Sequence, residues 1–150
     1  TMAVNNETGV FQDLTAIERV IRSENNNVAW MVDCVQALGK TNLALSETTI
    51  DYAPFSGHKL YAPKGIGVLY IRKGSAYTPF IAGGGQESGM RSGTENLPGI
   101  AGLNKLFSLL LDKQNQTFKP LEQLHDYRKQ LHAALLDTFG SITFNHSFEH

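Results

Sequence analysis

Two short stretches of the sequence place chemically versatile side chains directly after apolar runs. In the first, Asp33 ends the run VAWMVD, and Gln36 follows three residues later. In the second, Ser56, His58 and Lys59 follow the run IDYAPF. Because ligands bind at the carboxyl ends of strands in open α/β sheets, we expect these side chains to converge on one crevice.

This combination of side chains suits pyridoxal phosphate. We expect Lys59 to lie among apolar strands, where an amine can act as a nucleophile and form a Schiff base. An aspartate such as Asp33 keeps a pyridine nitrogen protonated, and Ser56 and His58 supply hydrogen-bond donors for a phosphate. From the residues alone a plainer interpretation stays open, because a lysine after a strand is more often a solvated end residue and an aspartate there is more often a helix cap.

The elements that must position these residues alternate between helical and strand patterns. The segment 13–24 starts with an aspartate that can cap a helix, and it carries apolar residues at helical spacing: Leu14, Ile17, Val20 and Ile21. Three other segments are apolar runs of strand length, typical of strands buried on both faces of a sheet: residues 28–33, 50–55 and 67–71. The pattern predicts the α/β class.

The pattern of apolar residues changes at about Leu97, after which it predicts helices. A first helix is predicted in GIAGLNKLFSLLLD, and a second in KPLEQLHDYRKQLHAALLDTF, with one apolar face formed by Leu121, Leu124, Leu131 and Leu135. The sequence SITFNH predicts the start of another strand. Three or four strands form too small a sheet for so apolar a chain, which indicates a piece of a larger domain. The boundary between the sheet domain and the next part of the chain is expected in residues 97–120.

Composition excludes several classes of function. The formal net charge is −1 and no cluster of Lys or Arg occurs, so we expect no direct binding to nucleic acid and none to membranes. The chain contains no apolar run long enough to cross a bilayer, and its first residues lack the pattern of a signal peptide. The lone Cys34 excludes an internal disulfide framework. We therefore expect a cytoplasmic protein.

Four motifs, taken in their order and spacing, make the sequence similar to a known family. They are VNNETGVFQD, VDCVQALGK, FSGHKLYAPKGIGVLYIRKG and GGGQESGMRSGTENLPGIAGL. Together they resemble the fold-type I, class V aminotransferase family and, within it, the NifS/IscS-type cysteine desulfurases. The resemblance covers nearly all of residues 1 to about 135.

The resemblance implies a division of the chain into two parts. Residues 1–96 would form the C-terminal half of the large pyridoxal-phosphate-binding domain, a mostly parallel sheet flanked by helices. Residues 97–150 would form connecting helices and the start of the smaller C-terminal α+β domain. We expect the chain to be a fragment of a protein more than twice as long.

The resemblance also implies a role for each reactive residue near the two strand ends. Lys59 would form the Schiff base and shuttle the α-proton of the substrate. Asp33 would hold the pyridine nitrogen, and Gln36 the phenolic oxygen of the cofactor. Ser56 and His58 would hold the phosphate.

Two further cofactor-binding residues lie outside these stretches. By resemblance, Asn6 would sit near the phenolic oxygen and the substrate. Thr94 would reach the phosphate of the neighbouring subunit, which implies a homodimer with shared active sites. The glycine-rich segment 83–102 lacks the spacing of a nucleotide-binding loop, so a loop that reaches a partner subunit fits it better. Arg91 in that loop would contact the partner's cofactor region or pair with an acid.

The activity implied by the resemblance converts L-cysteine to L-alanine and leaves a persulfide on the enzyme. The sulfur would pass to an iron–sulfur scaffold or a tRNA-thiolation protein. Other enzymes of the family, a selenocysteine lyase or an aminotransferase, remain alternatives, as does a non-catalytic scaffold. A Rossmann-like nucleotide binder ranks last because the sequence has no glycine fingerprint.

Cys34 does not match the cysteine of the family that attacks sulfur, which lies on a loop after the matched segment. Because neighbouring residues of a strand point to opposite faces, we expect Cys34 to pack in the core if Asp33 faces the cofactor. The terminal HSFEH has histidines at helical spacing, but without companion ligands we predict no metal site there.

Overall fold

The computed structural model describes residues 1–112, 114, 118–119 and 121–145, so the terminal HSFEH lies outside the described residues. Along these residues run helix α1 (Leu14–Glu24), strands β1 (Tyr52–Ser56) and β2 (Gly67–Ile71), and helices α2 (Leu97–Leu111) and α3 (Leu121–Phe139). Short 3-10 turns occupy Leu45–Glu47, Gly57–Leu60 and Glu87–Gly89. The mixture of helices and strands agrees with the predicted α/β class.

Four extended segments lie side by side in the order 1–4, 30–34, β1 and β2. Met2 forms a parallel bridge with Asp33, and Met31 forms a parallel bridge with Tyr52. By contrast, β2 runs antiparallel to β1, with Tyr52 opposite Ile71. The first three segments therefore end at the same edge of the sheet, and β2 returns from that edge.

Helix α1 begins where the sequence predicts. The Oδ1 atom of Asp13 accepts a hydrogen bond of 2.9 Å from the backbone N–H of Ala16, which caps the first turn. Leu14, Ile17 and Ile21 pack against the core. Val20 is 63% exposed, so its predicted place on the apolar face is wrong. At about 100° per residue, Val20 falls at the margin of the stripe that the other three form.

The segment 30–34 alternates between buried and exposed side chains. Trp30, Val32 and Cys34 are buried in the first core cluster, whereas Met31 is 56% exposed and Asp33 is exposed. The prediction that this run is buried on both faces is therefore wrong. The core cluster under helix α1 lies on one face of this segment. Because successive side chains of a strand point to opposite faces, every second one points away from the cluster.

A second core cluster forms where α2 meets the turn Gly57–Leu60. Leu60 is buried against Leu103 and Leu106, and Leu38 packs against the same cluster. The side chain of Asn96 caps α2 by accepting a hydrogen bond of 3.1 Å from the backbone N–H of Gly99. Helix α2 thus supports both turns that follow the strand ends.

In the C-terminal part of the chain the predicted helices are found, but the predicted apolar face of the second helix is partly exposed. Helix α3 spans most of the expected segment, yet Leu124 is 41% exposed and Leu131 is 61% exposed. Residues 141–145 form no strand, so the strand predicted from SITFNH is wrong over the residues described. Within the described ranges, no helix combines the length and apolar character that a bilayer crossing requires.

Gly39 lies where the turn that follows residue 34 approaches Leu60 of the turn Gly57–Leu60. Its φ angle is +71°, in the left-handed region. A Cβ atom at this position would lie 2.9 Å from Leu60 Cδ2 and 3.2 Å from Leu110 Cδ2. Since Leu60 is 97% buried, its side chain has little room to move away. Glycine at position 39 therefore allows the two turns to touch.

We predict that Gly39→Ala destabilises the protein more than Gly9→Ala does. Both glycines have a φ of +71°, but a Cβ at Gly9 would meet no atom within 4 Å. The left-handed backbone alone should cost about 1–2 kcal/mol at either site. Overpacking against Leu60 should add roughly 1–3 kcal/mol at Gly39. Urea unfolding of the two variants measures the difference, and equal losses would contradict the packing argument.

Candidate functional site

The predicted site residues lie on two turns at one edge of the sheet. Asp33 is near the end of the segment 30–34, and Ser56 is the last residue of β1. The two strand ends are parallel neighbours, because the backbone N–H of Cys34 donates to the Pro54 carbonyl at 3.2 Å. The turns beyond them touch through Gly39 and Leu60. The two turns are therefore neighbours at one edge of the sheet, and the convergence of their side chains on one crevice stays a prediction.

The carboxylate of Asp33 is exposed and held in a fixed direction. Its Oδ1 accepts a hydrogen bond of 2.9 Å from the backbone N–H of Val35. Within the described residues, Oδ2 has no hydrogen-bond partner. One oxygen is therefore used to orient the group, and the other remains able to accept a proton or a hydrogen bond from a ligand.

Ser56 and His58 form a pair at the start of the second turn. The Oγ of Ser56 lies 2.8 Å from Nδ1 of His58, and either group can donate the hydrogen of this bond. The imidazole is exposed and the serine half-buried. The pair thus presents a hydroxyl and an imidazole beside Lys59, which is a suitable donor set for a phosphate.

Lys59 lies on the 3-10 turn Gly57–Leu60 and is exposed. The expectation that it lies among the apolar strands is wrong, because β1 ends at Ser56, three residues earlier. Tyr61 closes the turn with φ +70°, and its backbone N–H donates to the Gly57 carbonyl. A tyrosine in the left-handed region is uncommon and strained, a feature that recurs at functional sites.

Gln36 lies on the first turn, where it is bonded to a lysine that the sequence did not single out. The Nζ of Lys40 donates to the Oε1 of Gln36 at 2.9 Å. Burial lowers the pKa of Lys40, and the positive charge of Lys59 lowers it further. This electrostatic effect connects the two turns. The spacing of four residues between Gln36 and Lys40 was the available sequence signal.

Asn6 lies in the loop that follows the segment 1–4. Its Nδ2 donates to the Oε1 of Glu7 at 2.9 Å. The segment 1–4 is the parallel neighbour of the segment that ends near Asp33, so Asn6 lies at the same edge of the sheet. Among the described residues it forms no hydrogen bond with the other predicted site residues.

Thr94 lies on the glycine-rich loop before α2, outside the two turns that carry Asp33, Gln36 and Lys59. It is exposed, and no hydrogen bond in the described part of the chain joins it to the other site residues. The loop has internal bonds: Gln86 Oε1 accepts from the backbone N–H of Gly93 at 3.0 Å, and Arg91 Nη1 donates to the Ser92 carbonyl at 3.1 Å. The expected role of Thr94 in a partner's site remains a prediction.

A cavity of about 390 Å³ lies at the opposite edge of the sheet, away from these residues. Arg22, Asp51 and Arg72 line it, and Arg22 lies 3.7 Å from Asp51. Both arginines bond to backbone carbonyls around the cavity, for example Arg22 to Val28 at 2.7 Å. These cations are therefore used to hold the loops together, and the cavity is not the candidate site.

The donor set at the strand ends fits pyridoxal phosphate. An aldehyde needs an amine, which Lys59 supplies, and a protonated pyridine nitrogen needs a carboxylate, which Asp33 supplies. The phosphate needs donors, which Ser56 and His58 supply. The observation that carries the fit is the open oxygen of the Asp33 carboxylate at the same edge as an exposed lysine and a serine–histidine pair.

Cys34 is next to Asp33 but points into the core. Its side chain is fully buried, as the alternation of a strand predicts. Burial raises the pKa of the Cys34 thiol from 9.0 to about 11, and the neighbouring charge of Asp33 contributes. A thiol that is buried and protonated is a poor nucleophile. The expectation that Cys34 is a packing residue is confirmed.

Comparison with known proteins finds the same family along the whole chain. Residues 1–149 match the family description Aminotransferase class-V. The cysteine desulfurase of Nostoc sp. (strain PCC 7120) is 43% identical over 129 residues, which are 86% of this chain and 32% of that protein. This chain therefore spans about a third of the length of the curated relatives it matches.

Solved structures give the same result. A NifS-like protein superposes with a TM-score of 0.77 at 38% identity, covering 91% of this chain and 35% of that one. A structure described as SspA in complex with cysteine superposes with a TM-score of 0.69 at 33% identity, covering 88% of this chain and 36% of that one. These likenesses agree with the α/β fold expected from the four sequence motifs.

We predict that Cys34 is labelled slowly by iodoacetamide in the native protein at about pH 8. Two pH units between 9.0 and about 11 correspond to about 100-fold less thiolate, and burial slows access further. Peptide mapping after labelling in buffer and in urea measures the ratio. Because the folded pKa is the higher one, the difference in thiolate fraction is largest below pH 9 and shrinks as the pH rises toward 11, where burial alone slows labelling. Equal labelling rates in buffer and urea would contradict the assignment.

Proposed function

The chain belongs to the class V aminotransferase family, and from this premise we propose that it is part of a pyridoxal-phosphate-dependent cysteine desulfurase. The family match, the 43% identity to the Nostoc cysteine desulfurase and the NifS-like structural likeness support the proposal. The single observation that carries it is the meeting of the Asp33 and Lys59 turns at one sheet edge, through Gly39 and Leu60.

The residues of the two turns would divide the binding of the cofactor among them. Lys59 would hold the aldehyde carbon covalently, and Asp33 would pair with the pyridine nitrogen through its open oxygen. Gln36 and Asn6 would bind near the phenolic oxygen. Ser56 and His58 would donate to the phosphate. When bound, pyridoxal phosphate supplies an electron-withdrawing ring that makes the α-proton of an amino acid acidic.

Lys59 would then act as the acid and base of the reaction. Its Nζ, released when the amino group of L-cysteine takes its place, would remove the α-proton of the substrate. The exposed position of Lys59 on a turn suits this role, because the same amine must reach the cofactor and the substrate in turn. The carboxylate of Asp33 would keep the pyridine nitrogen protonated throughout.

The overall reaction transfers one sulfur atom. L-Cysteine and an enzyme thiol give L-alanine and an enzyme persulfide: the carbon–sulfur bond of the substrate breaks, and a sulfur–sulfur bond forms. Cys34 would not supply that thiol, because it is buried and its pKa is raised to about 11. The thiol is therefore expected on a segment outside these 150 residues.

The partners that follow from this proposal are a second copy of the chain and a sulfur acceptor. Thr94 would complete the phosphate site of the neighbouring subunit, so the active protein would be a homodimer. The persulfide sulfur would pass to an iron–sulfur scaffold or a tRNA-thiolation protein. We expect these reactions to occur in the cytoplasm.

We predict that Lys59 carries the cofactor in the full-length protein. Incubation with pyridoxal phosphate, reduction with borohydride and peptide mapping should place the covalent tag on Lys59. The Lys59→Ala variant should still bind the cofactor through Asp33, Ser56 and His58, but should form no L-alanine from L-cysteine. A tag on Lys40 or Lys64 instead would overturn the assignment.

We predict separately that Thr94→Ala weakens cofactor binding in the neighbouring subunit. A hydrogen bond to a charged group contributes about 1.5–3 kcal/mol, so affinity should fall roughly 10- to 150-fold in the Thr94→Ala homodimer. In a heterodimer of one Lys59→Ala subunit and one Thr94→Ala subunit, a shared site places both defects in one site. The other site should then bind the cofactor normally.

The same heterodimer also shows whether Thr94 acts within its own subunit instead. If Thr94 acts within its own subunit, each site carries one defect. The site with Lys59 intact would then bind the cofactor as weakly as the Thr94→Ala homodimer does. That result would rule out the shared site, and equilibrium titration of purified heterodimers decides between the two.

A further inference from the structure

Lys40 is a lysine that the proposed reaction leaves unused, although it lies against the candidate site. Its Nζ donates to the Oε1 of Gln36 at 2.9 Å, and its side chain is only half-exposed. Its pKa is lowered by burial and by the charge of Lys59. An ordinary surface lysine extends into water and has neither feature. Lys40 therefore interacts with a residue of each turn, by a hydrogen bond to Gln36 and by charge with Lys59.

The chemistry of the bond to Gln36 determines how the amide is oriented. An ammonium group donates three hydrogens and accepts none, so Lys40 can bond only to the amide oxygen. The planar amide must then present its Nε2 group, with two hydrogens, on its other side. Without Lys40, a rotation of 180° about the last side-chain bond would exchange the oxygen and the nitrogen. Lys40 thus makes Gln36 a donor and prevents it from being an acceptor toward a ligand.

A donor is what an anionic oxygen ligand requires at this position. The phenolic oxygen of pyridoxal phosphate carries negative charge, so an amide oxygen turned toward it would repel it. An amide N–H turned toward it would form a charge-assisted hydrogen bond. The orientation of Gln36 therefore decides between an attractive and a repulsive contact.

We propose that Lys40 is a positioning residue, which locks the Gln36 amide with its N–H group available to the phenolic oxygen of pyridoxal phosphate. This inference rests on the proposed function, since it needs the cofactor to bind at this edge of the sheet. Lys40 acts through Gln36 and makes no contact with the substrate.

A double-mutant cycle in the full-length protein tests the proposal. The probe is pyridoxamine phosphate, which has no aldehyde, so its affinity does not depend on a covalent bond to Lys59. Lys40→Met keeps the length of the side chain and removes the donor. It should weaken binding roughly 3- to 10-fold, the range for one hydrogen bond, and Lys40→Arg should restore it. In the Gln36→Ala background, Lys40→Met should have no further effect.

Two controls test whether the effect of Lys40→Met comes from the orientation of the Gln36 amide, rather than from the lost charge or from unfolding of the variant. Lys64→Met removes the same charge from an exposed position and should leave the affinity within about twofold, because water and salt screen exposed charges. Circular dichroism checks that each variant is folded, and Lys40→Ala replaces Lys40→Met if the latter is not. The visible absorption of bound pyridoxal phosphate should change in Lys40→Met, return in Lys40→Arg and be unaffected in Lys64→Met.

The outcomes distinguish failure of this inference from failure of the proposed function. If the wild-type protein binds the cofactor and tags Lys59, but Lys40→Met binds equally well, Lys40 has no positioning role. A loss of equal size in the Gln36→Ala background would also overturn it, because Lys40 would then act by charge alone. If the wild-type protein binds neither pyridoxal phosphate nor pyridoxamine phosphate, both proposals fail.

Discussion

The contact between Gly39 and Leu60 is the constraint on which the candidate site depends. It joins the turn that carries Gln36 and Lys40 to the turn that carries Lys59. A Cβ atom on residue 39 would lie 2.9 Å from the buried Leu60 side chain, so only glycine permits this approach without displacement. Leu103 and Leu106 of helix α2 pack against Leu60 and so hold the second turn in place. The reactive residues are thus carried on turns, but the turns rest on a packed cluster.

Strand direction explains why these turns are neighbours at all. The segment 30–34 and β1 are parallel, so residues separated by more than twenty positions in sequence leave the sheet at the same edge. The antiparallel return of β2 uses the loop between Leu60 and Gly67, and this loop packs on α2 through Ile66. At the opposite edge Arg22 and Arg72 donate hydrogen bonds to backbone carbonyls, so their role there is structural. The two edges therefore differ in chemistry as well as in position.

The alternation of side chains along the segment 30–34 exposes the carboxylate of Asp33 and buries the thiol of Cys34. Asp33 and Cys34 are adjacent, yet the first is exposed with an open carboxylate oxygen and the second is fully buried. A shift of one residue in the pairing of this segment would exchange their environments. The register of the parallel bridges at Met2 and Met31 therefore decides which of the two groups can meet a ligand. The raised pKa of the Cys34 thiol follows from the same register.

Features that arise within a few residues of one another could be predicted from the sequence alone. The Asp13 cap and the packing of Leu14, Ile17 and Ile21 on the core appear in the structure as predicted. The alternation of helical and strand patterns predicted the α/β class, and the four motifs indicated the family, which the comparisons confirm. The particular roles of Lys59, Asp33 and their neighbours remain proposals. Burial and contact between turns became known only from the packed structure. In it Lys59, Val20 and Leu131 are exposed, β2 runs back antiparallel to β1, and Lys40 bonds to Gln36. The reason is that caps and periodicity act locally, whereas burial and contact depend on which elements pack together across the whole chain.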